Sequence, residues 1–168
     1  ELDTFLRPAN RGLRVLSNRG VNGIDGLVST TFGIAASATG PTVGLLGDLA
    51  FLHDVGGLAA VPRTGACATI IVINNGGGGI FEYLPVADTP APTTELFVAE
   101  HQHAFHAAAE LYGLDYHSPR DEEELAELLR RASNSRARLI ELVVPRKASV
   151  ARHKALWSAA ARAARQEL

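Results

Sequence analysis

The sequence contains little cysteine and no methionine. A single cysteine, Cys67, among 168 residues cannot form an internal disulfide. Stability must therefore come from a packed core, and a reducing compartment, the cytoplasm, is expected. The chain starts at Glu1 with no methionine anywhere. This predicts that the chain is a piece of a longer protein, with residues 1–168 forming one domain.

The chain also lacks a strong charge bias and any long hydrophobic run. Sixteen Lys and Arg residues oppose 18 Asp and Glu residues, giving a net charge of −2. No basic surface for nucleic acid is predicted. No apolar stretch approaches the roughly 20 residues that cross a bilayer, so no membrane partner is expected. Hydrophobic residues make up 46% of the chain and charged residues 20%, which is enough to fill a core.

The hydrophobic pattern alternates between short continuous runs and stretches with helical spacing. Continuous apolar runs of this kind are typical of parallel strands that are buried on both faces. The predicted strands are 14–17, 42–46, 68–73 and 138–144. The predicted helices are 24–38, 51–61, 105–112, 121–132 with a cap near Ser118, and 149–166. The predicted fold class is α/β, a doubly wound parallel sheet with helices on both faces.

Polar residues follow two of the predicted strands. Gly47 and Asp48 come directly after one strand, and Asn74 and Asn75 come after the next. Ligands of parallel sheets bind beyond the carboxyl ends of the strands, where these residues would meet. A carboxylate, an amide oxygen and a backbone carbonyl are hard ligands suited to Mg²⁺, with substrate phosphates completing the site. The sequence therefore predicts a magnesium-diphosphate site.

Two other patterns invite functional interpretations. The run Gly76–Gly79 is either a flexible loop or part of a dinucleotide-binding fingerprint, but the third glycine that the fingerprint requires is missing. His101, His103 and His106 are close enough in sequence to suggest zinc. Their spacing matches no common zinc pattern, so solvated or core histidines are favoured.

The spacing from Asp48 to Asn75 resembles the Gly-Asp…Asn-Asn signature of thiamine diphosphate enzymes. Together, segments 17–26, 47–54 and 73–81 resemble the C-terminal, diphosphate-binding domain of the 2-succinyl-5-enolpyruvyl-6-hydroxy-3-cyclohexene-1-carboxylate (SEPHCHC) synthase family. The resemblance covers nearly the whole chain, from about Arg14 onward. It implies the thiamine diphosphate-binding fold.

The resemblance also implies roles for individual residues. The implied Mg²⁺ ligands, which would also accept Mn²⁺, are Asp48, Asn75 and the Gly77 carbonyl. The implied thiamine diphosphate contacts are Gly23, Ile24, Gly47, Asp48, Leu49, Ala50 and Asn75, and the implied substrate contacts are Arg19, Ile80, Phe81 and Leu84. Ala50 replaces a hydroxyl residue of many relatives, which removes one hydrogen bond to the diphosphate. No residue of this chain is expected to be catalytic, because the activating glutamate of the family comes from an N-terminal domain of a partner subunit.

The implied activity is a decarboxylating carboligation in menaquinone biosynthesis. Such a transferase decarboxylates 2-oxoglutarate and adds the succinic semialdehyde unit to isochorismate. The resemblance implies a homodimer or homotetramer, and the chain alone is expected to be inactive. The alternatives are another thiamine diphosphate enzyme, of the acetolactate synthase or 2-oxo acid decarboxylase type, and a non-catalytic assembly or allosteric domain of the same fold. Leu49, where those other enzymes commonly have glycine, favours the first interpretation.

Overall fold

The computed structural model describes residues 12–18, 23–89, 92, 96–131 and 135–166. Its strands are β1 (Val43–Gly47), β2 (Thr69–Asn74), β3 (Asp115–His117) and β4 (Arg138–Val143). Its α-helices are α1 (Leu27–Ser37), α2 (Asp48–His53), α3 (Ala60–Thr64), α4 (His106–Tyr112), α5 (Glu122–Arg130) and α6 (Arg146–Gln166). Short 3₁₀ helices cover Val55–Ala59, Gly79–Tyr83 and Pro85–Asp88.

The strands form one parallel sheet in the order β1-β2-β4-β3. Gly47 at the end of β1 pairs with Ile73 of β2, so the segments that follow these two strands leave the sheet side by side. Parallel neighbours need a crossover connection, which the helical segments between β1 and β2 provide. The predicted α/β fold class with a parallel sheet is confirmed.

The main core lies on one face of the sheet. Side chains of alternate strand positions meet α1, α4 and the first 3₁₀ helix there, with Phe51 and Phe105 packed edge to face at 4.9 Å. On the opposite face, Ile71 and Ile140 are also buried. Arg138 on that face donates from Nη1 to the Leu128 carbonyl of α5 at 2.9 Å. Helices therefore contact both faces of the sheet.

The helix predicted over 51–61 is wrong in extent. Helix α2 ends at His53, a 3₁₀ helix follows, and α3 begins at Ala60. Gly56 and Gly57 explain the interruption, because glycine is unfavourable inside a helix. Pro62 lies in the first turn of α3, where its missing N–H is not needed.

Three further differences concern element boundaries. Residues 14–17 form no strand, and Val15 and Leu16 are more than half exposed with no recorded strand partner. The three-residue β3 was not predicted. Helix α5 is capped by Asp121, whose Oδ1 accepts from the Glu124 N–H at 2.9 Å, rather than by Ser118.

The remaining predicted helices and strands agree with the structure to within a few residues at each end. Helix α6 begins at Arg146, earlier than predicted. Within the described residues, none of the helices combines the length and the apolar character that a membrane crossing requires.

Candidate functional site

Asp48 is a buried carboxylate held by backbone amides. It begins α2 directly after β1, and only 3% of its surface is exposed. Its Oδ1 accepts from the Leu49 N–H at 2.7 Å. Its Oδ2 accepts from the Asn75 N–H at 3.1 Å and the Gly77 N–H at 2.9 Å. These bonds satisfy a buried charge and bring together the three residues predicted as metal ligands.

The loop after β2 depends on glycine at one position. Gly77 has φ +136°, a conformation that favours glycine. A Cβ at this position would lie 2.7 Å from the Val98 carbonyl oxygen and 3.0 Å from that of Ala99. The Gly78 N–H donates to the same Val98 carbonyl. The glycine run is therefore a tightly packed turn against residues 98–99.

Among the residues that the structure describes, two polar atoms at the site have no hydrogen-bond partner. They are Asn75 Oδ1 and His101 Nε2, and both are buried. His101 Nε2 lies 3.2 Å from Asp48 Oδ2, close enough for an ion pair but without hydrogen-bond geometry. A buried amide oxygen that accepts no hydrogen bond costs free energy unless a bound ligand, such as a donor group or a cation, pairs with it. The buried Asn75 oxygen belongs to a residue whose own N–H donates to Asp48, and its lack of a donor fits a cation bound at this loop.

Asn74, the other asparagine of the pair, belongs to a second hydrogen-bond network. Its Nδ2 donates to Glu141 Oε1 at 2.6 Å and to the His103 carbonyl at 2.9 Å, while its Oδ1 accepts from the Gly76 N–H. Glu141 Oε2 accepts from Tyr116 OH at 2.6 Å. Burial, together with this hydrogen bond to Glu141, raises the pKa of Tyr116 to about 12.

The raised pKa of Tyr116 predicts a dependence of stability on alkaline pH. The folded pKa lies above the ordinary value of 10.0. The contribution of protonated Tyr116 to the free energy of unfolding is therefore complete below pH 10 and is lost as the pH rises through about 12. We expect the free energy of unfolding to fall over this range, as measured by urea unfolding at several pH values. In Tyr116→Phe the free energy of unfolding should fall less steeply with pH. Identical slopes in the two proteins would contradict the raised pKa of Tyr116.

Arg146, at the start of α6, ties the glycine loop to two acidic residues. Its Nε donates to Glu82 Oε1 at 2.9 Å, its Nη2 donates to Glu100 Oε1, and its Nη1 donates to the Gly76 carbonyl at 3.4 Å. The hydrogen bond to Glu100 is the largest influence that raises the pKa of Arg146. The group keeps its charge and anchors the loop at the Gly76 carbonyl.

A cavity of about 510 Å³ opens beside this anchor. It is lined by Asn75, Gly76, Glu100, His101, Gln102, Pro145, Arg146 and Lys147. Charged side chains of both signs and the Asn75 side chain border this space, so it offers contacts for a polar, charged ligand.

Three of the other predicted cofactor contacts lie at the same strand end as Asp48, and two precede α1. Gly47 closes β1, and Leu49 and Ala50 follow Asp48 in α2, where Ala50 is buried. Gly23 and Ile24 precede α1, and Ile24 is 45% exposed. Asp48, Asn75 and Gly77 are joined by hydrogen bonds, whereas no recorded bond connects Gly23 or Ile24 to them.

The predicted substrate contacts lie on one short segment. Ile80 and Phe81 belong to the 3₁₀ helix Gly79–Tyr83, and Leu84 follows it. Ile80 is 68% exposed and Leu84 48%, while Phe81 packs against Phe97 with ring centroids 5.3 Å apart. This segment therefore presents an apolar surface. Arg19 lies outside the described residues.

Sequence reasoning missed the parts of the site that come from distant elements. His101 was interpreted as a solvated or core histidine. Its side chain is indeed buried, but it lies against Asp48. Glu141 was assigned only to a strand, although a glutamate inside an apolar run is a signal of a buried polar network. Arg146 lies before the predicted helix 149–166, and nothing in the local sequence indicates a role at the site.

Comparison with known proteins places these residues in a family. The family model described as thiamine pyrophosphate enzyme, C-terminal TPP binding domain, matches residues 6–142. Thiamine pyrophosphate is another name for thiamine diphosphate.

The chain is also similar to 2-succinyl-5-enolpyruvyl-6-hydroxy-3-cyclohexene-1-carboxylate synthases from several bacteria. The identity is 41% for the protein of Roseiflexus sp. (strain RS-1), over 95% of this chain and 28% of the relative. It is 42% for that of Rubrobacter xylanophilus, over 96% of this chain and 28% of the relative. For that of Myxococcus xanthus it is 42%, over 94% of this chain and 27% of the relative.

The chain thus spans little more than a quarter of the length of these relatives. The resemblance to the SEPHCHC synthase family is confirmed over nearly the whole chain. Because the family model covers most of the chain as well, the chain belongs to the family of C-terminal TPP-binding domains of thiamine pyrophosphate enzymes.

Proposed function

We propose that the chain is the diphosphate-binding domain of a SEPHCHC synthase of menaquinone biosynthesis. The intact enzyme would decarboxylate 2-oxoglutarate and add the resulting succinic semialdehyde unit to isochorismate. The observation that carries the proposal is the similarity of about 40% to synthases of this name over nearly the whole chain. The cluster of Asp48, Asn75 and Gly77 supports it, because these are the residue types that hold a metal-bound diphosphate.

We further propose that Mg²⁺, with Mn²⁺ as a substitute, binds at this cluster. The Asp48 carboxylate would neutralise part of the cation's charge, and the unpartnered Asn75 oxygen and the Gly77 carbonyl would supply neutral ligands. An oxygen-only set from one carboxylate and two amides suits a hard cation that keeps phosphate ligands. Among the described residues, no three His, Cys, Asp or Glu side chains cluster as an alternative metal site.

In this proposal the chain contributes binding and orientation. When bound, thiamine diphosphate supplies a thiazolium carbon that acts as a nucleophile toward 2-oxo acids. Gly47, Leu49 and Ala50 border the diphosphate beside Asp48. The exposed side chain of Ile24, preceded by Gly23, offers an apolar contact for the cofactor rings.

The substrate contacts are proposed on the apolar segment and on Arg19. Ile80, Phe81 and Leu84 would exclude water from the reacting carbon, which strengthens electrostatic interactions there. Arg19 would pair with a substrate carboxylate, a geometry for which the guanidinium group is suited. The activating glutamate would come from another domain, in a homodimer or homotetramer of the intact protein.

The function is tested by assaying the intact protein with thiamine diphosphate and Mg²⁺. We expect CO₂ release from 2-oxoglutarate and formation of an adduct when isochorismate is present, measured by mass spectrometry of the products. Pyruvate should be a poor substrate. Efficient formation of acetolactate from pyruvate would instead establish the rival thiamine diphosphate activity, and cofactor binding without any turnover would establish a non-catalytic domain.

A further inference from the structure

Glu141 is a buried carboxylate whose recorded partners are all uncharged donors. It lies in the middle of β4, and 1% of its surface is exposed. It accepts from Asn74 Nδ2 at 2.6 Å, from the Phe105 N–H at 2.9 Å and from Tyr116 OH at 2.6 Å. A carboxylate in such a place is costly to bury, and these donors offset the cost. Because burial of Glu141 is costly, we ask which part of the structure this side chain holds in place.

The Asn74 amide connects Glu141 to the metal loop. Its Nδ2 faces Glu141, and its Oδ1, on the other side of the same planar group, accepts from the Gly76 N–H at 3.1 Å. The next residue, Gly77, donates to Asp48. Glu141 and the His103 carbonyl both accept from Nδ2, and together they fix which side of the amide carries the NH₂ group. The oxygen is thereby directed to Gly76.

We propose that Glu141 is a positioning residue for the loop formed by residues 75–79, and that it acts through Asn74. That this loop binds Mg²⁺ rests on the function proposed above, whereas the positioning itself does not. The competing explanation is that Glu141 only stabilises the core, since it also holds Phe105 and Tyr116. The two explanations differ in what happens to the loop when different bonds to Glu141 are removed.

Two variants that keep nearly the size of the original side chain distinguish these explanations. Glu141→Gln keeps the shape of the side chain but introduces an NH₂ group, which must face either Asn74 Nδ2 or the Phe105 N–H. Either orientation places donor against donor and disturbs the network. Tyr116→Phe removes one bond to the same carboxylate and leaves the bond to Asn74 intact. It is therefore the matched control.

The test is amide hydrogen exchange of residues 75–79 in the intact protein without metal, with the β1 segment as internal reference. We expect Glu141→Gln to accelerate loop exchange tenfold or more, while Tyr116→Phe stays within twofold of the unmodified protein. Equal acceleration in both variants, or none in Glu141→Gln, overturns the proposal. If Glu141→Gln does not fold, Asn74→Ala carries the test, and unchanged loop exchange in that variant overturns the proposal as well.

A second readout follows Mg²⁺ itself. In the presence of thiamine diphosphate, calorimetric titration should show at least tenfold weaker Mg²⁺ binding in Glu141→Gln and nearly unchanged binding in Tyr116→Phe. Unchanged Mg²⁺ affinity in Glu141→Gln, with accelerated loop exchange, supports positioning of the loop but contradicts the proposal that Mg²⁺ binds on it. If the unmodified protein binds no Mg²⁺, the proposed function fails, and the exchange measurement alone decides the role of Glu141.

Discussion

Asp48→Asn is expected to abolish Mg²⁺-dependent binding of thiamine diphosphate by the intact protein. In the proposed site the cation would lose its only charged protein ligand. The loss of affinity should exceed the roughly 10–100-fold that follows removal of an outer partner of a metal ligand. In addition, the new NH₂ group must face either the Leu49 N–H or the amides of Asn75 and Gly77. Calorimetric titration of Mg²⁺ at fixed cofactor concentration measures the effect.

Asp54→Asn is the matched control for this change. Asp54 also receives two hydrogen bonds, from Ser29 N at 2.7 Å and Ser29 Oγ at 3.0 Å, and it belongs to the connection that follows α2. It takes no part in the proposed metal site. We therefore expect Asp54→Asn to lower stability without affecting Mg²⁺ binding. A folded Asp48→Asn protein that binds Mg²⁺ and cofactor with unchanged affinity would refute the metal assignment.

Gly77→Ala is expected to produce the largest loss of stability among single methyl additions at the site. The backbone conformation at φ +136° disfavours any Cβ, and the added carbon would overlap the Val98 and Ala99 carbonyl oxygens. Backbone strain and overpacking together should cost about 2–5 kcal/mol. Denaturant unfolding measures the free energy, and Mg²⁺ binding should be lost in parallel because the Gly77 N–H and carbonyl are displaced.

Gly33→Ala adds the same methyl group as Gly77→Ala but is expected to stabilise the protein. Gly33 lies inside α1, and a Cβ there would meet no atom within 4 Å. Alanine at this position should raise the free energy of unfolding by about 0.5–1 kcal/mol, because glycine is unfavourable inside a helix. If Gly77→Ala were as stable as Gly33→Ala, the loop would not have the packed conformation described above.

The strands that carry the site could be predicted because they are buried. The strands β1, β2 and β4 were identified from continuous apolar runs, and residues that follow adjacent parallel strands must meet. The proximity of Asp48 and Asn75 was therefore predictable from local pattern and topology together. In contrast, β3 has only three residues, all of them polar or amphipathic, and gives no periodic signal.

Contacts made across long sequence separations could not be predicted. The approach of His101 to Asp48 depends on how residues 98–101 pack over the glycine loop, which no local pattern encodes. The same holds for Arg146, which reaches Glu82 and Glu100 from another element. The helix expected over 51–61 failed for a local reason, since its two adjacent glycines outweighed its apolar spacing.

The bonds between Asp48 and the amides of the glycine loop also bear on the rate at which a cation binds. The carboxylate is already fixed in orientation by three N–H groups of its own chain. Arrival of a metal therefore freezes few additional torsions, and the loop does not have to fold around it. Association of Mg²⁺ would then be limited by release of its tightly held water rather than by chain motion. Cations that exchange water faster should enter faster, whatever their final affinity.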